Sequence, residues 1–156
     1  MTETDTIASL QRWMHRSLPI YEQIQATIEE LGSTVRCKVP LNPGNKNHFG
    51  AVHAALQFAV CEMAGGLAVN QSSVLRSGDY LLVVKSLNLE FLKPALSDVE
   101  AIARISKEQL SQIDQSLREQ GKFQFELSVE LVDAAGESVA VATGVYYASR
   151  KKRPAA

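Results

Sequence analysis

The chain has 156 residues, of which 46% are hydrophobic and 21% are charged, and its formal net charge is -1. That length suits a single domain with its own core, and the composition is typical of a globular protein rather than a disordered one. The near-neutral charge gives no electrostatic basis for a nucleic-acid partner. No apolar run approaches the length of a membrane span, so we expect no membrane partner.

The cysteines and the amino-terminus predict where the protein works. Cys37 and Cys61 lack CxxC spacing and both lie in apolar patterns, so we expect small buried side chains in a reducing compartment. The first five residues are polar and acidic, which is unlike a secretory signal. Together these features predict a cytoplasmic protein.

The first part of the chain predicts a helix, a hairpin and a loop. In residues 3–17, apolar side chains recur at three- and four-residue steps, which predicts a short helix. Residues 24–31 and 35–39 alternate apolar and polar side chains on either side of Gly32, the pattern of two strands joined by a tight turn. Residues 41–48 are dense in Asn, Pro and Gly, so they form a loop.

The stretch from Ala51 to Ala64 organises the chain, because it has no Pro or Gly and is rich in good helix formers. Gly65 and Gly66 weaken this helix near its end. Its apolar residues point to all sides, which is typical of a helix buried on most of its surface; they are Ala54, Ala55, Phe58, Ala59, Val60, Cys61 and Met63. One carboxylate, Glu62, lies among them. A buried acid is costly unless it is paired, hydrogen-bonded or held at the edge of a site, so Glu62 is the first functional candidate.

From Tyr80 to Ala148 the chain is mostly strand. Residues 107–120 are polar around a few apolar side chains and predict a small amphipathic helix or an ordered loop. Alternation of apolar and polar residues predicts strands on both sides of that segment, at 87–91, 99–105, 123–131 and 139–147. The order of elements predicts an α+β fold in which one antiparallel sheet wraps around one apolar helix.

That order of elements, with this helix, resembles the hotdog fold. Many hotdog thioesterases, including those of the phenylacetate-pathway type, open the central helix with His-Gly-Gly and place an Asp or Glu nine residues after the His. Here His53, Ala54 and Ala55 are followed by Glu62 at that spacing. The two alanines keep the backbone N–H groups of the motif, but each adds a Cβ that narrows the approach to them.

Further segments are also similar to that superfamily. Leu-Lys-Pro-Ala at 92–95 is followed by Asp98, and the loop before the helix contains Asn42, Asn45 and Asn47. The resemblance extends over roughly residues 24–148. We therefore expect an N-terminal helical segment at 1–23, a hotdog domain at 24–149 and a disordered basic tail at 150–156.

The resemblance implies an acyl-CoA thioesterase, a hydrolase of thioester bonds. It gives Glu62 the role of general base or nucleophile, and it gives the backbone N–H of Ala54, at the positive end of the helix dipole, the role of oxyanion donor. His53 is a third catalytic candidate. The substrate-binding candidates are Asn47, His48, Ala55, Gln57 and Phe58. The acyl group is expected in an apolar slot between helix and sheet, beside Phe58, Val60 and Leu89.

Ala54 and Glu62 are about 12 Å apart along one helix, so they cannot act on the same carbonyl within one chain. In hotdog dimers the acid of one subunit meets the helix start of the other, which implies a homodimer or a homotetramer with shared sites. The expected partners are therefore an acyl-CoA substrate and further copies of the same chain. We expect no cofactor, and the three histidines share no spacing typical of a metal site.

Two other functions stay open at this stage. A non-catalytic acyl-CoA-binding hotdog protein would use the same cleft, and a hydroxyacyl-thioester dehydratase would need a histidine and an acid, here His53 and Glu62. Ser72 and Ser73 follow the helix where related enzymes place a polar residue near the acid. The basic run 150–153 is expected to be solvated tail, with contact to coenzyme A phosphates as the alternative.

Overall fold

The computed structural model describes residues 3–152 and the side chains of residues 6–152. The described chain has ten regular elements, and the connection that follows the third helix contains a 3₁₀ turn at Leu75–Ser77. The elements are α1 (Glu3–Ser17), α2 (Pro19–Gln23), β1 (Thr27–Leu31), β2 (Thr34–Val39), α3 (Ala54–Val69), β3 (Tyr80–Phe91), β4 (Val99–Arg104), α4 (Lys107–Gln120), β5 (Lys122–Asp133) and β6 (Ser138–Arg150).

The six strands form one sheet in the order β1-β2-β4-β5-β6-β3, and every neighbouring pair is antiparallel. α3 packs across this sheet and contacts five of its strands. This packing explains the alternation of apolar and polar residues along β5. Phe123, Leu127 and Leu131 are buried, and Gln124 and Glu126 are exposed. The predicted α+β hotdog architecture, with one antiparallel sheet around one long central helix and a further N-terminal helix, is confirmed.

The N-terminal helices lie on the sheet and are tied to it by side-chain hydrogen bonds. The Gln11 amide of α1 donates to the carbonyl of Ala26 (2.8 Å) and accepts from the N–H of Ile28 (2.7 Å). The predicted strand at 24–31 starts only at Thr27. The reason is local: Gln25 adopts a left-handed conformation (φ 55°), which ends α2 and turns the chain into β1.

The central helix differs from its predicted bounds at both ends. Residues 51–53 lie outside the helix, because the N–H of Val52 bonds to the carbonyl of Ala95 and that of His53 to the carbonyl of Asn45. At the other end, α3 continues through both glycines to Val69. Gly65 is needed there: a Cβ at this position would lie 2.7 Å from Cζ of Tyr146 and overlap its hydroxyl.

Burial along α3 also differs from the expectation of a helix enclosed on most sides. Ala54 and Ala55 are exposed and Phe58 is 41% exposed, whereas the half from Met63 to Val69 is almost entirely buried. The predicted choice between helix and loop at 107–120 resolves as helix. Ser106 and Gln109 form a reciprocal capping box at its start.

The chain end and the cysteines complete the fold. Arg150 is the last residue of β6, so the strand continues one residue beyond the predicted domain boundary. Lys151 is held by its N–H to the carbonyl of Asp79 (2.9 Å), and residues 153–156 of the predicted tail lie outside the described residues. Cys37 and Cys61 are buried free thiols. No helix within residues 3–152 is long and apolar enough to cross a membrane.

Candidate functional site

The loop before α3 is held in place by two asparagine side chains. The buried amide of Asn45 donates to the carbonyls of Ile24 (3.0 Å) and Pro40 (3.1 Å). Oδ1 of Asn47 accepts hydrogen bonds from the N–H groups of Phe49 and Ala51, at 2.9 and 3.1 Å. These bonds fix the backbone that delivers the chain to the first turn of α3.

The start of α3 leaves one backbone donor unpaired. His53 is the N-cap, and its Nδ1 accepts a hydrogen bond from the N–H of Ala55 (3.1 Å). The N–H groups of Leu56 and Gln57 bond to the carbonyl of His53. The N–H of Ala54 has no hydrogen-bond partner among the described residues. It is an exposed donor at the positive end of the helix dipole, which is the arrangement that binds an oxyanion.

A cavity of about 350 Å³ opens beside this N–H group. Its wall contains Asn47 from the loop, Ala54 and Gln57 from the helix, Phe91 from the end of β3, and Leu92 just after that strand. The buried amide of Gln57 donates to the carbonyl of Val52 (2.8 Å), and its Oε1 has no partner among the described residues. An unpaired buried acceptor is uncommon in native structures and calls for an explanation.

The remaining N-terminal candidates lie at the surface. His48 is exposed, and its ring centroid is 3.8 Å from that of Phe49. Phe49 and Phe58 are 76% and 41% exposed. The N–H of Ala55 is occupied by His53, so only its exposed side chain is available for a ligand. Together these residues form an apolar, solvent-facing rim around the first turns of α3.

Glu62 lies two turns further along α3 at a second cavity of about 270 Å³. The hydroxyl of Tyr21 donates a hydrogen bond to Oε2 of Glu62, while Oε1 has no hydrogen bond among the described residues. Burial and then this bond hold the pKa of Tyr21 well above its ordinary value, so Tyr21 stays a donor at any physiological pH. The other walls are apolar side chains of α1 and β3, chiefly Leu10, Trp13, Met14, Leu82 and Val84.

Tyr146 of β6 forms another wall of the cavity beside Glu62. Its hydroxyl is buried and has no hydrogen-bond partner among the described residues. Burial, followed by the nearby Glu62, raises the pKa of Tyr146. The site around the acid therefore holds two protonated phenols, one bonded to Glu62 and one unpaired.

Tyr21 and Tyr146 were missed by the sequence analysis. Each lies far from Glu62 along the chain, in a segment that the pattern assigned only to a helix or a strand. The apolar alternation predicted for 139–147 runs through Val141, Val145 and Tyr147 and leaves Tyr146 on the opposite face, yet Tyr146 is the buried residue and Val141 is 38% exposed. Nothing in the sequence indicates which helix Tyr146 meets. The contact between Tyr21 and Glu62 depends on how α2 folds back, and no local pattern encodes that.

The structure brings the catalytic candidates onto one helix but not into one cavity. Ala54 and Glu62 line different cavities, about 12 Å apart along α3, and His53 is one residue further still. The expectation that Val60 lines an open slot is wrong for the single chain, because Val60 is fully buried. The hydroxyls of Ser72 and Ser73 donate to the carboxylate of Asp114. Among the described residues, no cluster of three or more His, Cys, Asp or Glu side chains could hold a metal ion.

Comparisons with known proteins cover nearly the whole chain. Residues 7–147 match the model of a family described as a domain of unknown function, DUF4442. No curated protein matches the chain. Among solved structures, a Pseudomonas aeruginosa protein of unknown function, described as a probable thioesterase, is 27% identical with a TM-score of 0.81 over 92% of this chain and 96% of that one.

Two further structures share the fold at lower identity. A protein of unknown function from Chlorobaculum tepidum is 19% identical with a TM-score of 0.86, over 96% of this chain and 98% of that one. A thioesterase from Haemophilus influenzae is 15% identical with a TM-score of 0.72, over 92% and 90%. With the architecture and the family match in agreement, this chain belongs to the DUF4442 family, a hotdog-fold, thioesterase-like family.

Proposed function

We propose that this protein hydrolyses acyl-CoA thioesters at sites shared between two copies of the chain. The observation that carries the proposal is the pair of groups on α3: an unpaired N–H at Ala54 and a half-buried carboxylate at Glu62, each facing its own cavity. An acyl-transfer site needs both an oxyanion donor and a base or nucleophile. The name of the Pseudomonas aeruginosa neighbour also supports thioester hydrolysis.

In this proposal Tyr21 holds Oε2 of Glu62 and leaves Oε1 for the reaction. Oε1 either takes a proton from an attacking water or attacks the thioester carbonyl itself. The carbonyl oxygen becomes negative as the bond forms, and the N–H of Ala54 of the partner subunit stabilises it. When water attacks, collapse of that intermediate gives the free acid and expels the coenzyme A thiolate, which takes the proton held by Glu62. When Glu62 attacks, collapse expels the thiolate and leaves an acyl anhydride on Glu62, which a water then hydrolyses to the free acid and the carboxylate. A water-derived oxygen appears in Glu62 after turnover only in the nucleophilic variant of this mechanism.

The proposed pairing of subunits fits the exposed surface of β3. β3 is an edge strand of 12 residues, and an unpaired long edge is a template for pairing with another chain. Its outward side chains include Leu81 (56% exposed) and Val83 (41% exposed). Phe91 at the end of the same strand and Phe58 on α3 are also exposed apolar residues. A second copy placed here would cover this surface and bring two α3 helices together.

Within the shared site, the N-terminal candidates take supporting roles. His53 caps α3 through Nδ1 and removes the Ala55 N–H from competition, which leaves Ala54 as the free donor. Gln57 and Asn47 line the cavity that receives the thioester. Ala55, Phe58 and His48 are exposed on the first turns of α3 and the loop before it, where a bound ligand could contact them. The mechanism requires no cofactor or metal, and we expect the protein to act in the cytoplasm.

The test is thiol release from a panel of short, long and aromatic acyl-CoAs, comparing the wild type with Glu62→Gln. We expect kcat to fall by about 10²–10⁴-fold, because a positioned base contributes that much. Glu126→Gln is the matched control, since this glutamate is exposed on β5 away from α3. Circular dichroism and sedimentation establish that both variants remain folded and associated.

Three outcomes would contradict the proposal. Unchanged turnover in Glu62→Gln would place the reaction elsewhere. Acyl-CoA binding without turnover in the wild type would make the protein a binding module. Hydration of an enoyl-CoA without thiol release would indicate a dehydratase. The geometry of a single chain does not favour that reaction, because His53 and Glu62 line no common cavity and Nδ1 of His53 already accepts a hydrogen bond.

A further inference from the structure

A further cavity, separate from the two beside Ala54 and Glu62, is lined mainly by basic residues. Its volume is about 1050 Å³, and it opens between the loop after α3, the start of β3, α4 and the end of β6. Four of its lining residues are cationic and one, Asp79, is acidic; the cations are Arg118, Arg150, Lys151 and Lys152. Such an excess is unusual in a chain whose net charge is -1.

Two of these cations are fixed in position by neutral groups. Nη2 of Arg150 donates to the hydroxyl of Tyr80 (3.0 Å), and its Cζ lies 5.5 Å from the centroid of the Tyr80 ring. Nζ of Lys151 donates to the carbonyl of Gly78 (2.7 Å). Neither contact neutralises charge. Both cations are therefore placed beforehand, with donors left over for an anion.

None of the four cavity cations forms a salt bridge among the described residues, and the carboxylates that interact with them at longer range are Asp79, near Arg150, and Asp114, near Arg118. Every salt bridge among the described residues involves Arg36, Lys38 or Lys93. Arg118 and Lys152 make no hydrogen bond to any described residue, and both oxygens of the nearby Asp114 are occupied by Ser72, Ser73 and the N–H of Val74. Four cations without salt bridges around one concave volume, with one lining carboxylate, favour the binding of an anion.

This cavity adjoins the one that contains Glu62. Tyr80 lines the basic cavity and Leu82 lines the other, two residues further along β3, a distance of about 7 Å. In the segment after α3, Val74 lines the basic cavity and Asn70 lines the cavity beside Glu62. A ligand that is anionic at one end and extended at the other could occupy both.

We propose that the basic cavity binds the diphosphate of a nucleotide. Two adjacent phosphates match a concave site with two guanidinium and two ammonium groups better than a single carboxylate does. That the nucleotide belongs to coenzyme A rests on the function proposed above, whereas the diphosphate site does not. The thioester end would then run along β3 towards Glu62.

The test titrates ADP into the wild type and into Arg118→Ala/Lys152→Ala, whose side chains make no described hydrogen bond. We expect the dissociation constant to rise by about tenfold or more, the loss of two exposed ion pairs. Added salt should weaken wild-type binding. Arg104→Ala, which removes an exposed cation from β4, is the control and should bind ADP like the wild type. Absence of ADP binding, or equal binding by all three proteins, would overturn the diphosphate site.

Hydrolysis separates this inference from the proposed function. The double variant should raise KM for an acyl-CoA by about tenfold and leave KM for the same acyl group on N-acetylcysteamine unchanged, because that thioester lacks phosphates. ADP binding without any thioester hydrolysis would support the site and refute the proposed function. If the double variant instead loses only activity on an acyl carrier protein thioester and binds ADP normally, the cavity is a protein-docking surface and the diphosphate assignment is wrong.

Discussion

The two halves of α3 have similar apolar compositions and opposite environments. In the first half, Ala54, Ala55 and Phe58 face solvent beside an open cavity. In the second half, Gly65, Ala68 and Val69 are buried against the sheet, and Tyr146 packs directly on Gly65. One half of the helix holds this chain together, and the other half presents apolar surface and a free N–H to something else.

The difference separates residues that serve the fold from residues that serve a ligand or a partner. Gly65, which leaves room for the ring of Tyr146, and Met63, which is buried in the core, contribute to folding of a single chain. An exposed phenylalanine beside an unpaired N–H contributes little to folding and is explained by what covers it. Glu62 lies between the two halves, where buried packing gives way to the exposed surface.

The largest expected effect contrasts core truncation with surface truncation on this helix. Met63 is 2% exposed, so Met63→Ala should lower the free energy of unfolding by about 2–5 kcal/mol at any protein concentration. Phe58→Ala should cost less than about 1 kcal/mol in a dissociated chain and should instead weaken association. Urea unfolding at two protein concentrations, with sedimentation velocity, distinguishes the two effects, because stabilisation by a partner depends on concentration.

This contrast disappears under one outcome. If Phe58→Ala destabilises as much as Met63→Ala and does so equally at both concentrations, the first half of α3 belongs to the core of the single chain. The proposed pairing of subunits through that surface would then lose its main support.

A second prediction uses adjacent glycines within the buried half. Gly65→Ala should lower the free energy of unfolding by about 1–3 kcal/mol or more, because the new Cβ overlaps Tyr146. Gly66→Ala should raise it by about 0.5–1 kcal/mol, since nothing lies within 4 Å of the new Cβ and alanine is the better helix former. Thermal unfolding of the two variants measures the difference.

The expected difference between Gly65→Ala and Gly66→Ala depends on the overlap with Tyr146, and a double variant tests that cause. Adding Tyr146→Phe to Gly65→Ala removes the hydroxyl and should restore part of the lost stability, though not all, because Cζ remains 2.7 Å from the new Cβ. No recovery at all would mean that the glycine is required for another reason.

Features of the fold that depend on neighbouring residues could be predicted from the sequence, and features that depend on contacts between distant parts of the chain could not. The strands and the central helix were predictable, because alternation in residues 123–131 and unbroken apolar character in 51–64 are local signals. The left-handed turn at Gln25 was not, since Gln carries no preference for that conformation. Continuation of α3 through Gly65 was also hidden, because glycine there serves a tyrosine on a distant strand.

The candidate site was predictable only in part, for the same reason. Glu62 could be selected because a lone acid in an apolar helix is anomalous within its own segment. The partner that holds it, Tyr21, lies 41 residues away, and only the tertiary fold brings the two together. The exposure of Ala54 and Phe58 was missed because an apolar helix looks the same whether its own chain or a second copy covers it.

The third prediction concerns Tyr21, which donates a hydrogen bond to Glu62. Tyr21→Phe removes the hydrogen bond to Glu62 without changing the packed ring, so we expect a loss of about 1 kcal/mol in the free energy of unfolding. If Glu62 is the reacting group, kcat should also fall by several-fold while KM stays near the wild-type value, because Tyr21 positions the carboxylate rather than the substrate. Loss of stability with an unchanged kcat would limit Tyr21 to a structural role. Tyr147→Phe, on the same strand as Tyr146 but with no described hydrogen bond, is the control.

The smallest effect is expected beyond the end of α3, at a carboxylate whose role is structural. Partial burial disfavours the charged form of Asp114, but hydrogen bonds from Ser72, Ser73 and the N–H of Val74 outweigh it and hold the pKa of Asp114 below its usual range. Because the folded pKa is the lower one, Asp114 stabilises the native chain above the unfolded pKa of about 3.9, and this contribution is lost as pH falls through the folded pKa. Asp114→Asn should therefore cost about 1 kcal/mol at pH 7. In urea unfolding, the difference in the free energy of unfolding between the wild type and Asp114→Asn should shrink towards pH 3. A difference that stays constant with pH would mean that the charge on Asp114 contributes nothing to stability.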